Sequence, residues 1–325
     1  MIPQNFEYSA PATLSDALGL IAKGAKPLSG GMSLIPMMKL RLAAPEHLVN
    51  IGALKELDYI KEEGGALHIG AAATHYAVET SALVKSKCPL LAETAAHIGD
   101  VQVRNMGTIG GSVAHNDPSA DYPATLQALE AQIVLKSAKG ERTVSAADFF
   151  VDTFTTALEE GEIVREVVVP VEAAGTGTTY EKVLQPASGF AIVGIAVRVR
   201  KSVGKVSMAR IGVTGLSNCS YRATAAEKAL AAQEVVVDAE ERKFQLGAST
   251  LFVVIQQQNT LATTRQNMVN AQVAYANAKL ALDVATGNLI DKYNIVFDEA
   301  RDGTVTRRAD PIPDVVNQNG AGQAA

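Results

Sequence analysis

The 325-residue sequence has few of the residues that bind metal clusters or stack on nucleic-acid bases. It contains two cysteines, Cys88 and Cys219, without a CxxC pair, which excludes a cysteine-ligated iron–sulfur cluster, a cysteine zinc site and a disulfide framework. Tryptophan is absent, aromatic residues make up 5% and the net charge is -5, so nucleic-acid binding is not expected. No apolar run reaches the roughly 18 residues of a membrane span, and the N-terminus does not resemble a signal peptide. We therefore expect a cytoplasmic location, with the inner face of the membrane as the alternative.

Apolar residues make up 47% of the chain, enough for a buried core in two or three domains. A capping box at Thr13–Asp16 predicts a helix that continues to about Ala22. Short β-branched and apolar runs predict strands, and a proline in the first turn of 89–98 predicts a helix. The predicted strands are 47–51, 66–70, 132–135 and 163–169. The pattern is typical of a mixed α/β fold.

A small, glycine-rich segment over residues 172–179 predicts a domain boundary. Beyond it, three strands are predicted over 180–184, 191–200 and 206–216, followed by a helix over 221–233. Apolar and charged residues alternate in the second of these strands, which predicts that Arg198 and Arg200 face solvent.

Two Gly-Gly pairs flanked by hydroxyl residues are the main candidates for ligand binding. The first lies in Ser29–Ser33 and the second in Thr108–Ser112. Adjacent glycines let the backbone approach a phosphate and turn N–H groups toward it, and neighbouring hydroxyls add donors. The two loops together could clamp one pyrophosphate, although each alone is also explained by a tight turn. Neither matches a Rossmann or P-loop motif.

Three ordered segments carry a family resemblance: 28–41, 102–124 and 180–191. They resemble the FAD-binding medium subunit of molybdenum hydroxylases, in particular the aerobic carbon monoxide dehydrogenase type, over about residues 1–232. The resemblance implies an α/β (α+β) FAD-binding domain over 1–175, in two subdomains that divide near 55–60. A small three-stranded sheet with a helix would follow over 176–235.

The resemblance also implies a cofactor, partners and site residues. The cofactor is FAD, and electrons would come from a [2Fe–2S] small subunit beside a molybdopterin-bearing large subunit and leave to a quinone-type acceptor. Lys182 would lie near the isoalloxazine, Asp121 would bond a polar part of the nucleotide, and Ile98 and Ile163 would pack on the cofactor. The implied cofactor-binding residues are Leu28, Ser29, Gly30, Gly31, Met32, Ser33, Leu34, Ile98, Thr108, Ile109, Gly110, Gly111, Ser112, Asp121, Ile163 and Lys182.

Two other interpretations of the second loop are weaker. The segment 110–114 nearly fits the GxSxG motif of hydrolases, but its last position is Ala114. His115, Asp117 and Asp121 could ligate a metal, yet a fourth ligand is lacking and loop or cap hydrogen bonds explain them. We therefore expect neither a catalytic nor a metal-ligating residue in this chain.

The C-terminal third follows a different pattern. Residues 238–297 resemble the last periplasmic helix of TolC-like outer-membrane efflux proteins, which predicts a fusion. A long helix is expected over 243–286, where a seven-residue apolar step suits self-association, and a disordered tail over 298–325. The fusion predicts a destabilised small domain over 177–232. It also offers an alternative function, a non-catalytic fusion or coiled-coil assembly chain with a vestigial flavin site.

Overall fold

The computed structural model describes residues 2–202, 205–230, 252–253, 255–256, 258–260 and 263, and every structural statement below concerns these residues. The short pieces between 252 and 263 are helical. The rest of the predicted long helix, of the efflux-like segment and of the tail lies outside the described residues. No helix in the described part combines the length and the apolar character needed to cross a bilayer.

A small parallel sheet forms the first part of the fold. Its strands and helices are, in chain order, β1 (Glu7–Ser9), α1 (Leu14–Ile21), β2 (Lys26–Leu28), α2 (Leu34–Lys39) and β3 (His47–Asn50). The strand order is β1-β3-β2, and both pairings are parallel. Thr13 caps α1 as predicted, because its side-chain oxygen accepts a hydrogen bond from the N–H of Asp16. The loop between β2 and α2 carries the first glycine pair.

A five-stranded antiparallel sheet forms the second part. After a 3₁₀ turn at Lys55–Leu57, its strands and a short hairpin are β4 (Ile60–Glu63), β5 (Ala66–Gly70), β6 (Gln132–Ser137), β7 (Gly140–Ser145), β8 (Phe150–Asp152), β9 (Thr155–Thr156) and β10 (Ile163–Pro170). The sheet order is β4-β5-β10-β6-β7, and β8 pairs with β9. The helices of this part are α3 (His75–Thr80), α4 (Ala82–Lys87), α5 (Pro89–Ala96), α6 (Val101–Met106), α7 (Ile109–His115), α8 (Asp121–Ala128) and α9 (Ala146–Phe149).

Two clusters of buried apolar side chains hold these parts together. The larger cluster includes Ile69 and Val167 of the five-stranded sheet and Ile109 and Tyr122 of the helices. The smaller cluster joins α1 and β3 to Ile163 of β10. Because β10 contributes to both clusters, the smaller cluster packs the first sheet region against the second.

A four-stranded antiparallel sheet forms the third part, with strands β11 (Thr176–Leu184), β12 (Ala191–Ser202), β13 (Lys205–Thr214) and β14 (Tyr221–Arg222) in sequential order. The sequence predicted three strands and a helix from residue 221. Instead, Tyr221 pairs with Val213 and Arg222 with Gly212, and helix begins at residue 224. Two residues are too short to give a recognisable strand pattern, so the fourth strand was missed.

Helix α8 supports this sheet. A Cβ atom on Gly212 would lie 1.9 Å from the carbonyl oxygen of Ala124, so only glycine allows β13 to approach α8 so closely. The side-chain amide of Gln127 donates to the carbonyl oxygen of Ser220 at 2.8 Å. The Thr214 hydroxyl lies 2.8 Å from the carbonyl oxygen of Ala120, the residue before α8. These contacts fix the sheet against the helix that carries Asp121.

The expectation that Arg198 faces solvent is wrong. Arg198 is buried, and its Nε donates to Glu172 at 2.9 Å. It shares a face of β12 with Gly194 and Ala196, which are also buried. The alternation therefore predicted the strand correctly. The prediction of the exposed face was wrong, because the face of β12 that carries Arg198 is covered by protein.

Candidate functional site

The two glycine loops lie against each other. The Ser29 and Thr108 hydroxyl oxygens are 3.1 Å apart, although the residues are 79 positions apart in the sequence. A Cβ atom on Gly111 would lie 3.4 Å from the carbonyl oxygen of Ser29. The structure thus brings together the two segments that the sequence analysis linked to one ligand.

Local backbone geometry explains why both loops need glycine. Gly30 and Gly31 have φ values of 70° and 75°, a region that side-chain-bearing residues rarely adopt. A Cβ atom on Gly30 would lie 2.3 Å from the carbonyl oxygen of Met106. A Cβ atom on Gly110 would lie 2.4 Å from the Cβ atom of Ala71. Gly30 and Gly110 therefore permit close backbone packing, whereas Gly31 gives the first loop its curvature.

The first loop keeps backbone donors available. The N–H of Gly31 donates to the carbonyl oxygen of Ser29 at 2.7 Å. Within the described part of the chain, the N–H groups of Gly30, Met32, Ser33 and Leu34 and the Ser33 hydroxyl make no hydrogen bond. Such a run of free donors in a glycine turn is the arrangement that binds a phosphate.

The second loop uses its backbone donors internally. The N–H of Ile109 donates to Ala73, and that of Gly110 donates to Ala71. The N–H of Gly111 donates to the Thr108 hydroxyl, and that of Ser112 to the Thr108 carbonyl. This corrects the expectation that both loops turn N–H groups toward one anion. The second loop supports the first, and among the described residues its free donors are the Thr108 N–H and the Ser112 hydroxyl.

Asp121 and Lys182 form a buried ion pair at the first turn of α8. Lys182 Nζ lies 2.9 Å from Asp121 Oδ2 and donates to the carbonyl oxygen of His97 at 2.8 Å. The two side chains are 1% and 5% exposed. Burial raises the pKa of the Asp121 carboxyl, and the charge of Lys182 opposes that rise. The pair places a fixed cation and its counter-ion inside the molecule.

The apolar site residues lie in different surroundings. Ile109 is fully buried in the larger core cluster, and Ile98 packs against the same cluster at a partly buried position. Ile163 is 3% exposed and lies in the smaller cluster. Its role on the cofactor stays a prediction. Leu28 and Leu34 flank the first loop, and Met32 lies within it on the surface.

Two residues with a part in this region were not singled out by the sequence. Tyr180 donates its hydroxyl hydrogen to Asp121 Oδ1 at 2.5 Å. Arg104 donates to the carbonyl oxygens of Ile98 and Gly99 and pairs with Glu79 at 2.8 Å, so it fixes the segment after α5. Both lie within the segments that carry the family resemblance, which was the available signal. Their partners are distant in sequence and could not be read from it.

The geometry does not support the metal interpretation of this region. Asp121 is bonded to Lys182 and Tyr180, and Asp117 accepts from the N–H of Ser119. The His115 ring packs on Phe154 with centroids 4.9 Å apart, and burial lowers its pKa. Among the described residues, no three His, Cys, Asp or Glu side chains are placed to hold a metal ion.

The residues fit FAD by their chemistry. The first loop offers free N–H groups and a free hydroxyl for a pyrophosphate, in a turn that a side chain at Gly31 would strain. Lys182 offers a fixed positive charge. A dinucleotide with a pyrophosphate and a ring that gains negative charge on reduction matches both features.

The comparisons with known proteins agree with this chemistry. The family model described as FAD binding domain in molybdopterin dehydrogenase matches residues 4–172. The chain is 47% identical over 225 residues to the carbon monoxide dehydrogenase medium chain of Hydrogenophaga pseudoflava, covering 68% of this chain and 78% of the relative. It is 39% identical over 230 residues to the glyceraldehyde dehydrogenase medium chain of Sulfolobus acidocaldarius, covering 70% and 82%.

Solved structures give the same result. A chain of carbon monoxide dehydrogenase from Hydrogenophaga pseudoflava superposes with a TM-score of 0.69 at 48% identity, covering 71% of this chain and 81% of that one. Quinoline 2-oxidoreductase from Pseudomonas putida superposes with a TM-score of 0.68 at 31% identity, covering 74% and 86%.

Proposed function

We infer the function from one premise: the chain belongs to the family of FAD-binding domains in molybdopterin dehydrogenases. It is the FAD-binding subunit of a molybdenum hydroxylase, and FAD is its cofactor. The observation that carries this function is the pair of adjoining glycine loops, of which the first keeps its backbone donors free. The non-catalytic assembly chain with a vestigial site is not favoured, because the loop glycines and hydroxyls are intact.

We propose that the following residues hold the cofactor: Leu28, Ser29, Gly30, Gly31, Met32, Ser33, Leu34, Ile98, Thr108, Ile109, Gly110, Gly111, Ser112, Asp121, Ile163 and Lys182. The N–H groups of the first loop would bind the pyrophosphate, and the Ser33 and Ser112 hydroxyls would add donors from either side. Asp121 and Lys182 would bind at the flavin end of the cofactor.

FAD, when bound, supplies a ring that accepts and passes on electrons. The part of this chain is to bind and orient that ring and to set the charge beside it. Lys182 is held by Asp121 and by the His97 carbonyl, so its ammonium cannot move freely. A fixed cation favours negative charge that develops on a neighbouring group, and in buried surroundings the effect is larger than in water.

The finer assignment is a carbon monoxide dehydrogenase-type complex. We propose that the chain lies in the cytoplasm, receives electrons from a [2Fe–2S] small subunit beside a large subunit with molybdopterin, and delivers them to a quinone-type acceptor. Self-association through residues 243–286 is a further proposal and rests on the sequence pattern alone. The relatives include carbon monoxide, glyceraldehyde and quinoline enzymes, so we assign no substrate to the molybdenum subunit.

The test is the visible spectrum of the purified chain after addition of FAD and desalting. We expect a retained flavin band in the natural sequence and its loss in Gly31→Asp, which places a charged side chain in the first loop. Gly140→Asp is the matched control, because nothing lies within 4 Å of a Cβ atom there. It should keep the band. A folded natural chain without flavin, or retention in Gly31→Asp, would contradict the function.

A further inference from the structure

The Tyr180 hydroxyl belongs to a buried polar cluster that it forms with Asp121 and Lys182. It donates to Asp121 Oδ1 at 2.5 Å, while the other carboxylate oxygen of Asp121 accepts from Lys182. Tyr180 itself is 1% exposed. The Asp121 carboxylate is therefore held at both oxygens by two residues of the same strand, β11.

The fold makes room for this hydroxyl. Gly194 of β12 lies opposite Lys182 in the sheet, and a Cβ atom on Gly194 would lie 2.3 Å from the Tyr180 hydroxyl oxygen. The His97 ring packs edge-on against the Tyr180 ring, with centroids 5.8 Å apart. The hydroxyl position is thus determined by packing on two sides and requires glycine on one of them.

We propose that Tyr180 is a positioning residue for the FAD site, which holds Asp121, and through it Lys182, in a single geometry. This inference rests on the proposed function, because it places the ion pair at the flavin. Tyr180 acts through the carboxylate to which its hydroxyl donates.

The electrostatics of the cluster give the inference a measurable consequence. Burial raises the pKa of Asp121, whereas Lys182 and the Tyr180 hydrogen bond lower it. Without the Tyr180 hydroxyl, the pKa of Asp121 rises further, so the carboxyl takes up a proton at a higher pH. A neutral Asp121 no longer holds the Lys182 ammonium. Loss of the hydroxyl should therefore weaken FAD binding more strongly as the pH falls.

Tyr122 provides a matched control. It follows Asp121 directly on α8, is fully buried, and its hydroxyl has no hydrogen-bond partner among the described residues. Tyr122→Phe removes the same atom from the same neighbourhood without breaking a hydrogen bond. Any effect of a lost phenol oxygen alone would appear in both variants.

The experiment measures the Kd for FAD of the full chain between pH 5.5 and 8.5, by quenching of flavin fluorescence. For Tyr180→Phe we expect the ratio of its Kd to that of the natural chain to increase toward low pH and reach about ten-fold. Tyr122→Phe should stay within about two-fold throughout. Gly194→Ala, which displaces the hydroxyl, should reproduce the Tyr180→Phe profile.

The groups that face Asp121 are Lys182 and Tyr180 from β11, His97 after α5 and Tyr122 on α8. A ratio that is the same at every pH would reduce Tyr180 to a packing role and overturn the inference. A natural chain that binds no FAD would instead overturn the proposed function, and this inference with it. The carboxyl ¹³C signal of Asp121 in the FAD-free chain gives a second readout, since its titration must move upward in Tyr180→Phe.

Discussion

His75 is a buried histidine next to the second glycine loop. Its backbone N–H donates to the carbonyl oxygen of Gly107, and its ring lies 5.4 Å from the Tyr122 ring. Nδ1 has no hydrogen-bond partner in the described part of the chain. Burial, and then the charge of Arg104, lowers the pKa of His75 from 6.5 to about 4. The folded chain therefore keeps this ring neutral where the unfolded chain protonates it.

The pH dependence of stability follows from that difference. Below pH 6.5 the unfolded chain binds a proton at His75, whereas the folded chain binds it only near pH 4. The contribution of His75 to the free energy of unfolding is therefore complete above pH 6.5 and is lost as the pH falls through this window. At pH 5 the loss is about 2 kcal/mol. His75→Phe keeps an aromatic ring and removes the proton. Between pH 7.5 and pH 5, its free energy of unfolding should improve relative to the natural chain by about that amount.

Urea unfolding at the two pH values measures this shift. His97→Gln is the control, because it removes a histidine that is exposed in the folded chain. An equal difference between His75→Phe and the natural chain at both pH values would show that the folded chain protonates His75 as readily as the unfolded chain does.

Residue types could be predicted at the site, but their individual roles could not. The hydroxyl-flanked glycine pairs indicated phosphate chemistry, and the structure brings both pairs together. Two of the N–H groups of the second loop donate to the carbonyl oxygens of Ala71 and Ala73, on a segment far from both loops in sequence. Which N–H groups remain free is decided by such long-range contacts, so it could not be deduced from the motif.

At the scale of elements, β12 shows why a strand pattern does not identify the buried face. The alternation of apolar and charged residues predicted this strand, which the structure places at Ala191–Ser202. However, Arg198 is buried and Ile195 is on the surface. Helix α8 contacts β12, and Glu130, which follows α8, lies 3.6 Å from Arg198. Arg198 is accommodated by Glu172, which follows β10. The sequence of a strand does not show which of its two faces a helix from another part of the chain will cover.

The Arg198–Glu172 pair gives a prediction at this scale. The two side chains are 8% and 9% exposed, so removal of one partner leaves a nearly buried charge alone. Arg198→Met should lower the free energy of unfolding by about 3 kcal/mol, and the double variant Arg198→Met, Glu172→Leu should recover most of it. The exposed Lys61–Glu63 pair is the control, where Lys61→Met should change stability by less than about 1 kcal/mol.

Chemical denaturation of the four proteins measures these values. If the double variant is as unstable as the single one, the cost comes from lost packing of the arginine stem and not from the charge that remains. If Arg198→Met costs no more than Lys61→Met, the pair is hydrated in solution.

At the scale of the whole molecule, the proposed cofactor site depends on the docking of the third sheet. Asp121 lies on α8, whereas Lys182 and Tyr180 lie on β11, so the ion pair forms only where the sheet meets the helix. The glycine loops lie in the part of the chain before the predicted boundary. That boundary stays a prediction from a glycine-rich segment, and the docking depends on single close approaches, such as Gly212 on Ala124, that leave no pattern in the sequence.

This dependence predicts that a residue outside the site controls cofactor binding. Gly212→Ala would place a Cβ atom 1.9 Å from the carbonyl oxygen of Ala124 and push β13 away from α8. We expect weaker FAD retention together with faster proteolytic cleavage near residues 172–179, although Gly212 is not a cofactor ligand. Gly177→Ala is the matched control in the same sheet, since its nearest neighbour would be 3.9 Å away. It should retain FAD and resist cleavage as the natural chain does. Unchanged FAD retention in Gly212→Ala, with cleavage accelerated, would show that the glycine loops hold the cofactor without the ion pair.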